Sequence, residues 1–472
     1  MNILFIAAEA APFVKVGGLG DVIGSLPKAL KEEGVEARVV LPLYSSIDRS
    51  KYDLKYVKYI FVDLGWRREY CGIFETEIDG VKFYLIDNEH YFNRYGVYGE
   101  SDDGERFAFF SKAALEILPH VDFRPDIINA NDWHAALSVI YLDDFKSNGY
   151  SFFNNTKSVI SIHNIEFQGR FNPYSMGDVF GLDNKYFDAL IYNGDLNLLK
   201  GAIQLADRIN TVSETYAHEI LEPYFSYGLD SILRVEQGKL HGIVNGIDTD
   251  KFNPKTDKLI YKNYDLKSIS KKVENKLKFQ EEMNLEVNKN IPMIGMVTRL
   301  THQKGIDLVL QVADDILKTG AQLVILGTGD SHYEDALRAL EYRRHDKVRS
   351  LIMFSSEMSA KVYSSCDMFL MPSKTEPCGL SQLISMRYGT VPIVHKVGGL
   401  RDTVHAFDGN SGEGFTFESF NAYDMLDAIY RTTYCYYQEK VNFDKIVKNA
   451  MQLNVSWSVS AKKYLQMYNE II

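Results

Sequence analysis

The chain has 472 residues, of which 46% are hydrophobic and 24% are charged, and these proportions are typical of a globular protein with two or three domains. Its net charge of -11 argues against an extended polyanion such as nucleic acid as the main partner, because binding a phosphate backbone requires a basic surface. A neutral polymer, or a small anion held in a local basic pocket, is compatible with this charge.

The cysteines and the first residues bear on the compartment of the protein. The four cysteines are scattered, with neither a Cys-x-x-Cys pair nor a metal-ligand spacing, which favours a reducing cytoplasm. The apolar start contains Glu9 and has no basic segment before it, so it is predicted to be a buried strand and not a signal sequence. No apolar run approaches the roughly 20 residues that span a bilayer, so we expect no membrane anchor.

The first half of the chain predicts a largely parallel α/β sheet. Residues 2–8 form an apolar run typical of a strand buried on both faces. A helix ending near Gly34 follows, which Pro27 is expected to kink or restart, and then a strand over residues 37–43. A hairpin is predicted around Asp79-Gly80. Buried strands over residues 125–129 and 158–162 each end in polar residues, where open α/β sheets bind ligands.

The second half repeats the alternation of strand and helix with short connections. Strands are predicted over residues 291–297, 322–326, 351–354, 368–371 and 391–394, with a helix over residues 305–317. This order predicts a parallel doubly wound sheet. Turn residues over 241–248 and a polar stretch over 253–270 predict the hinge between the halves. Apolar residues at helical spacing over 461–471 predict a closing helix packed on one domain.

A glycine turn occurs once in each half, each time between a predicted strand and a predicted helix. The two copies are Lys15-Val16-Gly17-Gly18-Leu19-Gly20-Asp21 and Lys396-Val397-Gly398-Gly399-Leu400-Arg401-Asp402. Glycines let the backbone approach an anion, and the start of the following helix offers unpaired N–H donors. The repeat therefore favours two domains of the nucleotide-binding type. An ordinary glycine turn between a strand and a helix would explain a repeat of five residues equally well.

A dinucleotide site is one alternative for the first glycine turn. It requires an acidic residue roughly 20 positions further on, at the end of the second strand, to bind the ribose. That strand has the sequence Val39-Val40-Leu41-Pro42-Leu43 and carries no acid, and the glycine spacing does not fit the full motif. Hydride transfer to a nicotinamide is therefore a minor hypothesis.

Two clusters in the second half suit a diphosphate and a sugar. Arg299 and Lys304 follow a strand and precede a helix, where two cations can stabilise a diphosphate leaving group. Glu376 precedes a helix that opens with glycine, so its carboxylate can bind sugar hydroxyls while the helix start binds phosphate. The alternatives are solvated loop charges for the cations and a helix-capping role for Glu376.

The chain resembles bacterial glycogen synthases and plant starch synthases in six motifs, in the same order, from Glu9 to Ser456-Trp457. The motifs are Lys15-Val16-Gly17-Gly18-Leu19, His163-Asn164, Val244-Asn245-Gly246-Ile247-Asp248, Arg299 with Lys304, Glu376-Pro377-Cys378-Gly379-Leu380, and Gly398-Gly399-Leu400. Each motif is weak alone, and together they are specific.

The resemblance implies a GT-B fold, in which two Rossmann-like domains face a cleft. The implied domains are residues 1–242 on the acceptor side, residues 243–455 for the nucleotide sugar, and a C-terminal helix over 456–472 that packs back on the first domain. The implied reaction moves glucose from ADP-glucose to the 4-hydroxyl of an α-1,4-glucan such as glycogen, with retention and without a protein nucleophile. No cofactor or metal is expected. The neighbouring acids Asp248 and Asp250 could suggest a metal-binding pair, but they lie in the predicted hinge between the two halves.

The resemblance also implies roles for individual residues. Arg299 and Lys304 would neutralise the departing ADP, Glu376 would bind glucose hydroxyls, and His163 would lie beside the glucose. Asp132 would lie near the acceptor, although it could equally cap a helix, and His163 could be a buried histidine bonded to backbone. The remaining substrate-binding residues are Lys15 at the donor phosphates, Gly17, Gly18, Asp21, Asn164, Asn245, Phe354, Cys378, Gly379, Leu380 and Ser381.

Two positions depart from related families. Ile384 stands where some retaining GT-B families have a second glutamate that binds the ribose, which argues against those families. Phe354 stands where some relatives have a tyrosine beside the adenine, so stacking is expected without a hydroxyl contact. The expectation that the donor nucleotide carries adenine therefore comes from the resemblance alone. A glucan-binding scaffold without turnover is a further alternative, although Arg299 and Lys304 are both present.

Overall fold

A computed structural model describes the whole chain, residues 1–472. The chain divides into two compact units, and each has its own apolar core. The first unit comprises residues 1–245 and 457–472, and the second comprises residues 246–456. No helix combines the length and the apolar character that crossing a membrane requires.

The first unit contains a nine-stranded sheet in the order β12-β11-β7-β6-β1-β2-β5-β4-β3 and a small sheet in the order β8-β10-β9. The large sheet is parallel except where β4 pairs with β3 and β5. The strands are β1 Asn2–Ile6, β2 Glu36–Pro42, β3 Lys55–Leu64, β4 Arg67–Ile78, β5 Val81–Asp87, β6 Ile127–Asn131, β7 Lys157–Ile162, β8 Arg170–Phe171, β9 Ile191–Tyr192, β10 Asp195–Asn197, β11 Arg208–Thr211 and β12 Leu240–Gly242.

Nine helices lie in the first part of the chain. They are α1 Gly18–Glu32, α2 Glu89–Phe92, α3 Asp103–Glu116, α4 Asp132–Ser147, α5 Ser175–Asp178, α6 Phe187–Leu190, α7 Leu198–Leu205, α8 Glu214–Glu219 and α9 Asp230–Val235. The expectation that Pro27 restarts a helix is wrong, because α1 continues through it as one element. Burial of Val22, Ile23, Leu26 and Leu30 on one face of α1 offsets the hydrogen bond that proline cannot donate.

The predicted hairpin is confirmed. β4 and β5 pair in antiparallel register up to Ile78 opposite Val81, and Asp79 and Gly80 form the turn with φ angles of 50° and 78°. Two consecutive positive φ angles are what a tight two-residue hairpin requires. The first unit is therefore parallel at its centre and antiparallel at one edge.

The second unit contains one fully parallel sheet in the order β15-β14-β13-β16-β17-β18. Its strands are β13 Met293–Val297, β14 Gln322–Leu326, β15 Val348–Leu351, β16 Met368–Met371, β17 Val391–His395 and β18 Phe415–Phe417. Its helices are α10 Lys272–Glu282, α11 Ile306–Gln311, α12 Ala313–Lys318, α13 Ser331–Arg343, α14 Ser356–Ser365, α15 Ser381–Arg387, α16 Gly398–Thr403, α17 Ala422–Gln438 and α18 Lys440–Gln452.

Two element boundaries in the second unit differ from the predictions. The strand expected over 351–354 lies over Val348–Leu351, because its partner β14 ends at Leu326, which pairs with Leu351. Phe354 therefore lies beyond the strand and is 85% exposed. The helix expected over 305–317 is interrupted at Val312, whose φ of -118° is not helical.

The last helix, α19 Trp457–Asn469, belongs to the first unit. It packs along α1, and its buried tyrosine hydroxyls accept hydrogen bonds from amides inside the large sheet. Asn129 on β6 donates to Tyr468 at 2.6 Å, and Asn210 on β11 donates to Tyr464 at 2.8 Å. The chain therefore leaves the first unit after Asn245 and returns to it at Trp457.

Candidate active site

Two predicted site residues of the second unit meet at the carboxyl ends of neighbouring strands. β13 and β16 pair in parallel, so the segments that follow them emerge at the same edge of the sheet. Gly305 has a φ of 71°, and a Cβ there would lie 2.2 Å from the carbonyl oxygen of Pro372. Glycine thus lets the turn after β13 approach the segment after β16. Across this contact Lys304 Nζ lies 2.6 Å from Glu376 Oε2.

The Glu376 carboxylate is buried and held on one oxygen. Its side chain is 8% exposed, and Oε2 also accepts a 2.8 Å hydrogen bond from the Ser373 hydroxyl. Oε1 has no hydrogen-bond partner within the chain and can accept hydrogen bonds from a ligand. The capping alternative for Glu376 is wrong, because α15 begins after Leu380 and has no side-chain cap.

Two other predicted site residues of this unit, Arg299 and Phe354, are exposed to solvent. Arg299 lies just beyond β13 and its side chain makes no hydrogen bond or ion pair within the chain. Phe354 lies beyond β15, at the same carboxyl edge of the sheet. Arg299 is therefore a solvated loop charge in the structure, which was the alternative for both cations. That alternative is wrong for Lys304, because its ammonium is bound to a buried carboxylate.

The segment between β16 and α15 is held by Gln382. Its side-chain amide donates to the carbonyl oxygens of Cys378 and Gly379 at 3.0 Å each, and Gly379 has a φ of 74°. Leu380 and Ser381 complete the turn into α15, and the Ser381 hydroxyl lies 3.5 Å from the carbonyl of Val297. The backbone of the predicted sugar-diphosphate segment is therefore fixed in place without a ligand.

The two glycine turns differ in structure. In the second, a Cβ on Gly399 would lie 2.3 Å from the carbonyl oxygen of Cys378, and Lys396 forms a 2.7 Å ion pair with Glu418. In the first, Gly17 and Gly18 are exposed and a Cβ on either would meet nothing within 4 Å. The second turn therefore packs against the Cys378 segment, whereas the first leaves open space.

The first glycine turn carries an exposed lysine with an internal partner. Lys15 Nζ lies 2.7 Å from Asp21 on the first turn of α1, so two predicted substrate-binding residues form an ion pair. The N–H groups of Val16 and Gly17 donate to the buried Glu9 carboxylate at 2.6 and 2.9 Å. These two amides are thus already paired inside the protein and do not face a ligand.

His163 is a neutral histidine bonded to a side-chain amide. Its Nε2 lies 2.9 Å from Asn131 Oδ1, and the Asn131 Nδ2 donates to the carbonyls of Ile6 and Asn129, which fixes the amide orientation. Nε2 therefore carries the proton and donates it to Asn131. Burial lowers the pKa of His163 to about 4, so the ring is uncharged at neutral pH.

Asp132 binds the end of the neighbouring strand. It is the first residue of α4 and has a φ of 56°, which is unusual for a residue with a Cβ. Its Oδ1 accepts a 2.7 Å hydrogen bond from the backbone N–H of His163. The helix-cap alternative is wrong, because the cap position is Asn131 and the Asp132 carboxylate does not bond to its own helix.

Two asparagines complete the predicted set in the first unit. Asn164 follows His163, and its Oδ1 accepts a 3.1 Å hydrogen bond from the backbone N–H of Glu166. Asn245 is 6% exposed, and its Oδ1 has no hydrogen-bond donor within the chain. A buried acceptor without a donor is costly, which is consistent with a donor supplied by a ligand.

Both parts of the chain match families of carbohydrate enzymes. A family model described as the starch synthase catalytic domain matches residues 2–235, and one described as glycosyl transferases group 1 matches residues 255–439. The chain is 48% identical to a glycogen synthase of Clostridium botulinum, with 100% of this chain and 99% of that protein covered. The chain belongs to the glycogen synthase family. It is therefore a glycosyltransferase and not an oxidoreductase, which confirms the resemblance seen in the six motifs.

Other members and solved structures agree with this assignment. A glycogen synthase family member from Lactobacillus acidophilus is 47% identical over 100% of both chains. The catalytic domain of starch synthase IV from Arabidopsis thaliana, bound to ADP and acarbose, is 33% identical with a TM-score of 0.93, covering 99% of each chain. A sucrose-phosphate synthase from Thermosynechococcus elongatus, 17% identical with a TM-score of 0.62, is similar in fold. The predicted GT-B class of two doubly wound α/β domains is confirmed.

Three residues of this glycogen synthase family member that hold the predicted site residues in place were not predicted from the sequence. Ser373 bonds Glu376, Asn131 bonds His163, and Glu9 bonds the first glycine turn. Glu9 did leave a signal, since a charged residue shortly after an apolar strand requires a partner if it is buried. Ser373 left none, because serine is an ordinary residue after a strand, and Asn131 was expected only as one of the polar residues at the end of its strand.

The free energy of unfolding of this glycogen synthase family member is expected to depend on pH through the ionisation of Asp132. Burial, with a contribution from the charge of Glu9, raises the pKa of Asp132 to about 7, so between pH 4 and 7 the folded state keeps a proton that the unfolded state loses. The resulting stability is present at low pH and is lost as the pH rises through 7. Relative to the non-titrating Asp132→Asn variant, the free energy of unfolding of the unmodified protein should fall by about 2 kcal/mol between pH 5 and 8. Urea unfolding of both proteins measures this, and a difference that stays constant would contradict it.

Proposed function

We propose that this protein transfers glucose from ADP-glucose to the terminal 4-hydroxyl of an α-1,4-glucan, with retention of configuration and release of ADP. The observation that carries the proposal is the buried Lys304–Glu376 pair at the ends of β13 and β16, in a member of the glycogen synthase family. The starch synthase IV structure was described with ADP bound, which supports an ADP-containing donor for this chain as well.

In this proposal the second unit binds the nucleotide sugar. Arg299 and Lys304 balance the negative charge that develops on ADP as the bond to glucose breaks. Glu376 offers Oε1 to glucose hydroxyls, while Lys304 and Ser373 occupy Oε2. The backbone amides of Cys378, Gly379 and Leu380, with Ser381, line the sugar-diphosphate, and Phe354 stacks on the adenine.

The first unit supplies the remaining predicted groups. Lys15 exchanges its ion pair with Asp21 for contact with the donor phosphates, and Gly17 and Gly18 leave room for that approach. His163 acts as a neutral hydrogen-bonding group beside the glucose, because its ring does not protonate near pH 7. Asp132 lies near the acceptor, and Asn164 and Asn245 contact the substrate.

Retention follows a front-face course in this proposal. The leaving phosphate and the incoming hydroxyl occupy the same side of the glucose, so no carboxylate acts as a nucleophile, and the proposal includes no cofactor or metal. A retaining glycosidase instead places two carboxyl groups about 5–5.5 Å apart. Glu376 is paired with a lysine at 2.6 Å. A cytoplasmic location completes the proposal, since the four cysteines are buried and form no disulfide, as in reducing compartments.

Glucan-dependent release of ADP from ADP-glucose is the test. Purified protein should release ADP faster with glycogen than without it, and the new linkage should be α-1,4. UDP-glucose in place of ADP-glucose tests the nucleotide, and ADP-glucose should be the better donor. If glycogen binds but adds nothing to ADP release from either donor, the protein is a glucan-binding scaffold and the proposal is wrong.

Phe354→Ala is expected to raise the KM for ADP-glucose about tenfold while changing kcat little. Stacking of an aromatic side chain on a base contributes about 1–3 kcal/mol, and the ring makes this contact equally in the ground and transition states. The residue is 85% exposed, so the melting temperature should stay constant. Phe354→Tyr, which retains the ring, is the matched control, and an unchanged KM in Phe354→Ala would contradict adenine stacking here.

A further inference from the structure

Glu9 is a buried carboxylate that joins two loops at the carboxyl edge of the first sheet. It lies three residues beyond β1 and is 3% exposed. Its Oε2 accepts hydrogen bonds from the N–H groups of Val16 at 2.6 Å and Gly17 at 2.9 Å. Its Oε1 accepts a hydrogen bond from the Tyr98 hydroxyl at 2.7 Å. Both oxygens are thus engaged within the protein.

The bonds to Val16 and Gly17 fix an exposed part of the backbone. Residues 15–18 are all exposed, and two adjacent glycines give this segment many alternative conformations. The N–H groups of Val16 and Gly17 have no acceptor other than Glu9. A charged acceptor makes such hydrogen bonds stronger than neutral ones. Glu9 therefore selects one conformation of the segment that carries Lys15.

The bond to Tyr98 connects the same carboxylate to the start of α4. The Tyr98 ring lies 4.4 Å from the His134 ring, centroid to centroid, and His134 in turn lies 4.2 Å from Trp133. These two residues directly follow Asp132, and the negative charge of Glu9 contributes to raising the Asp132 pKa. Glu9 is thus connected to two of the predicted ligand-binding segments of the first unit, the first glycine turn and the start of α4.

We propose that Glu9 is a positioning residue that holds the backbone of residues 15–18 so that Lys15 can bind the donor phosphates. This role rests on the proposed function, because it requires ADP-glucose as the donor. It assigns the amides of Val16 and Gly17 to internal support of the turn. Anion binding then depends on the Lys15 ammonium.

The test compares three variants of the full-length protein. Glu9→Ala removes all three hydrogen bonds. Glu9→Gln keeps one oxygen for the two N–H groups and presents an amide N–H₂ that donates to the Tyr98 hydroxyl oxygen, so it removes the charge and reverses the hydrogen bond to Tyr98. Asp126→Ala is the matched control, because Asp126 also accepts a backbone N–H, from Asn2 at 2.7 Å, at the opposite end of β1. Amide hydrogen exchange at residues 16 and 17 and steady-state kinetics with ADP-glucose and glycogen are measured for each.

We expect faster amide exchange at residues 16 and 17 in Glu9→Ala. The KM for ADP-glucose should rise about tenfold, with a smaller change in kcat. A loss of this size is reasonable because misplacing a binding group by about 1 Å can reduce enzyme activity by up to about 100-fold. Glu9→Gln should restore most of both quantities, and Asp126→Ala should change neither. Faster exchange with an unchanged KM would overturn the positioning role, as would Glu9→Gln behaving like Glu9→Ala. Absence of glucan-dependent ADP release in the unmodified protein would instead refute the proposed function.

Discussion

Lys304→Ala is expected to lower kcat about 100- to 1,000-fold while leaving the fold intact. The variant loses a cation that stabilises the developing charge on ADP, and removing one group of this kind typically costs that factor. It also leaves the Glu376 carboxylate buried beside Ser373 without its countercharge, so we expect a lower melting temperature in addition. Initial rates of ADP release and a thermal melt measure the two effects separately.

A second buried ion pair in the same unit provides the control for Lys304→Ala. Lys276 on α10 lies 2.7 Å from Asp367, next to β16, and its side chain is almost fully buried. Lys276→Ala therefore breaks a comparable pair that has no predicted contact with the substrate. It should lower the melting temperature and leave kcat per folded molecule close to the unmodified value. Equal losses of kcat per folded molecule in both variants would show that breaking a buried ion pair, and not removing a cation from ADP, lowers kcat.

Glu376→Ala is expected to reduce kcat/KM about 100- to 1,000-fold, the range for removing one group that stabilises a transition state. The variant loses the acceptor for glucose hydroxyls and frees the Lys304 ammonium from its partner. Glu376→Gln keeps a carbonyl oxygen and so retains part of the binding, and it should fall between Glu376→Ala and the unmodified protein. Activity of Glu376→Ala near the unmodified level would remove Glu376 from the site.

The pairing of these two residues predicts that their substitutions are not additive. Because Lys304 Nζ and Glu376 Oε2 are 2.6 Å apart, each single variant already disturbs the remaining partner. The double variant Lys304→Ala with Glu376→Ala should therefore lose less kcat/KM than the product of the two single losses. A product equal to the measured double loss would mean that the two residues act independently.

The type and order of the elements followed from the sequence more reliably than their ends. β14 and β16 lie at the predicted residues, because apolar runs in a parallel sheet are bounded by sharp polar turns. The predicted position of β15 was wrong, because a strand ends where its neighbour stops pairing with it. α1 was expected to kink or restart at Pro27, and it does not restart there, because burial of one face outweighs the lost hydrogen bond.

The candidate site was predictable to the level of residue types at strand ends. Arg299, Lys304 and Glu376 stand out because cations and an acid that precede helix starts suit a diphosphate and a sugar, and the pairing of β13 with β16 brings two of them into contact. The sequence does not show that Lys304 and Glu376 bond to each other, or that Glu9 occupies the amides of the first glycine turn. Such contacts join residues far apart in the chain, and a local pattern does not contain them.

The return of α19 to the first unit has a consequence for synthesis on the ribosome. Tyr464 and Tyr468 accept hydrogen bonds from Asn210 and Asn129, which lie inside the large sheet. When residues 1–245 have left the exit tunnel, those two amides and the part of α1 that contacts α19 are still uncovered. The second unit is made next and can complete its own core first. During that interval the nascent first unit exposes the surface that α19 later covers, and transiently exposed apolar surface of this kind favours aggregation until α19 is made.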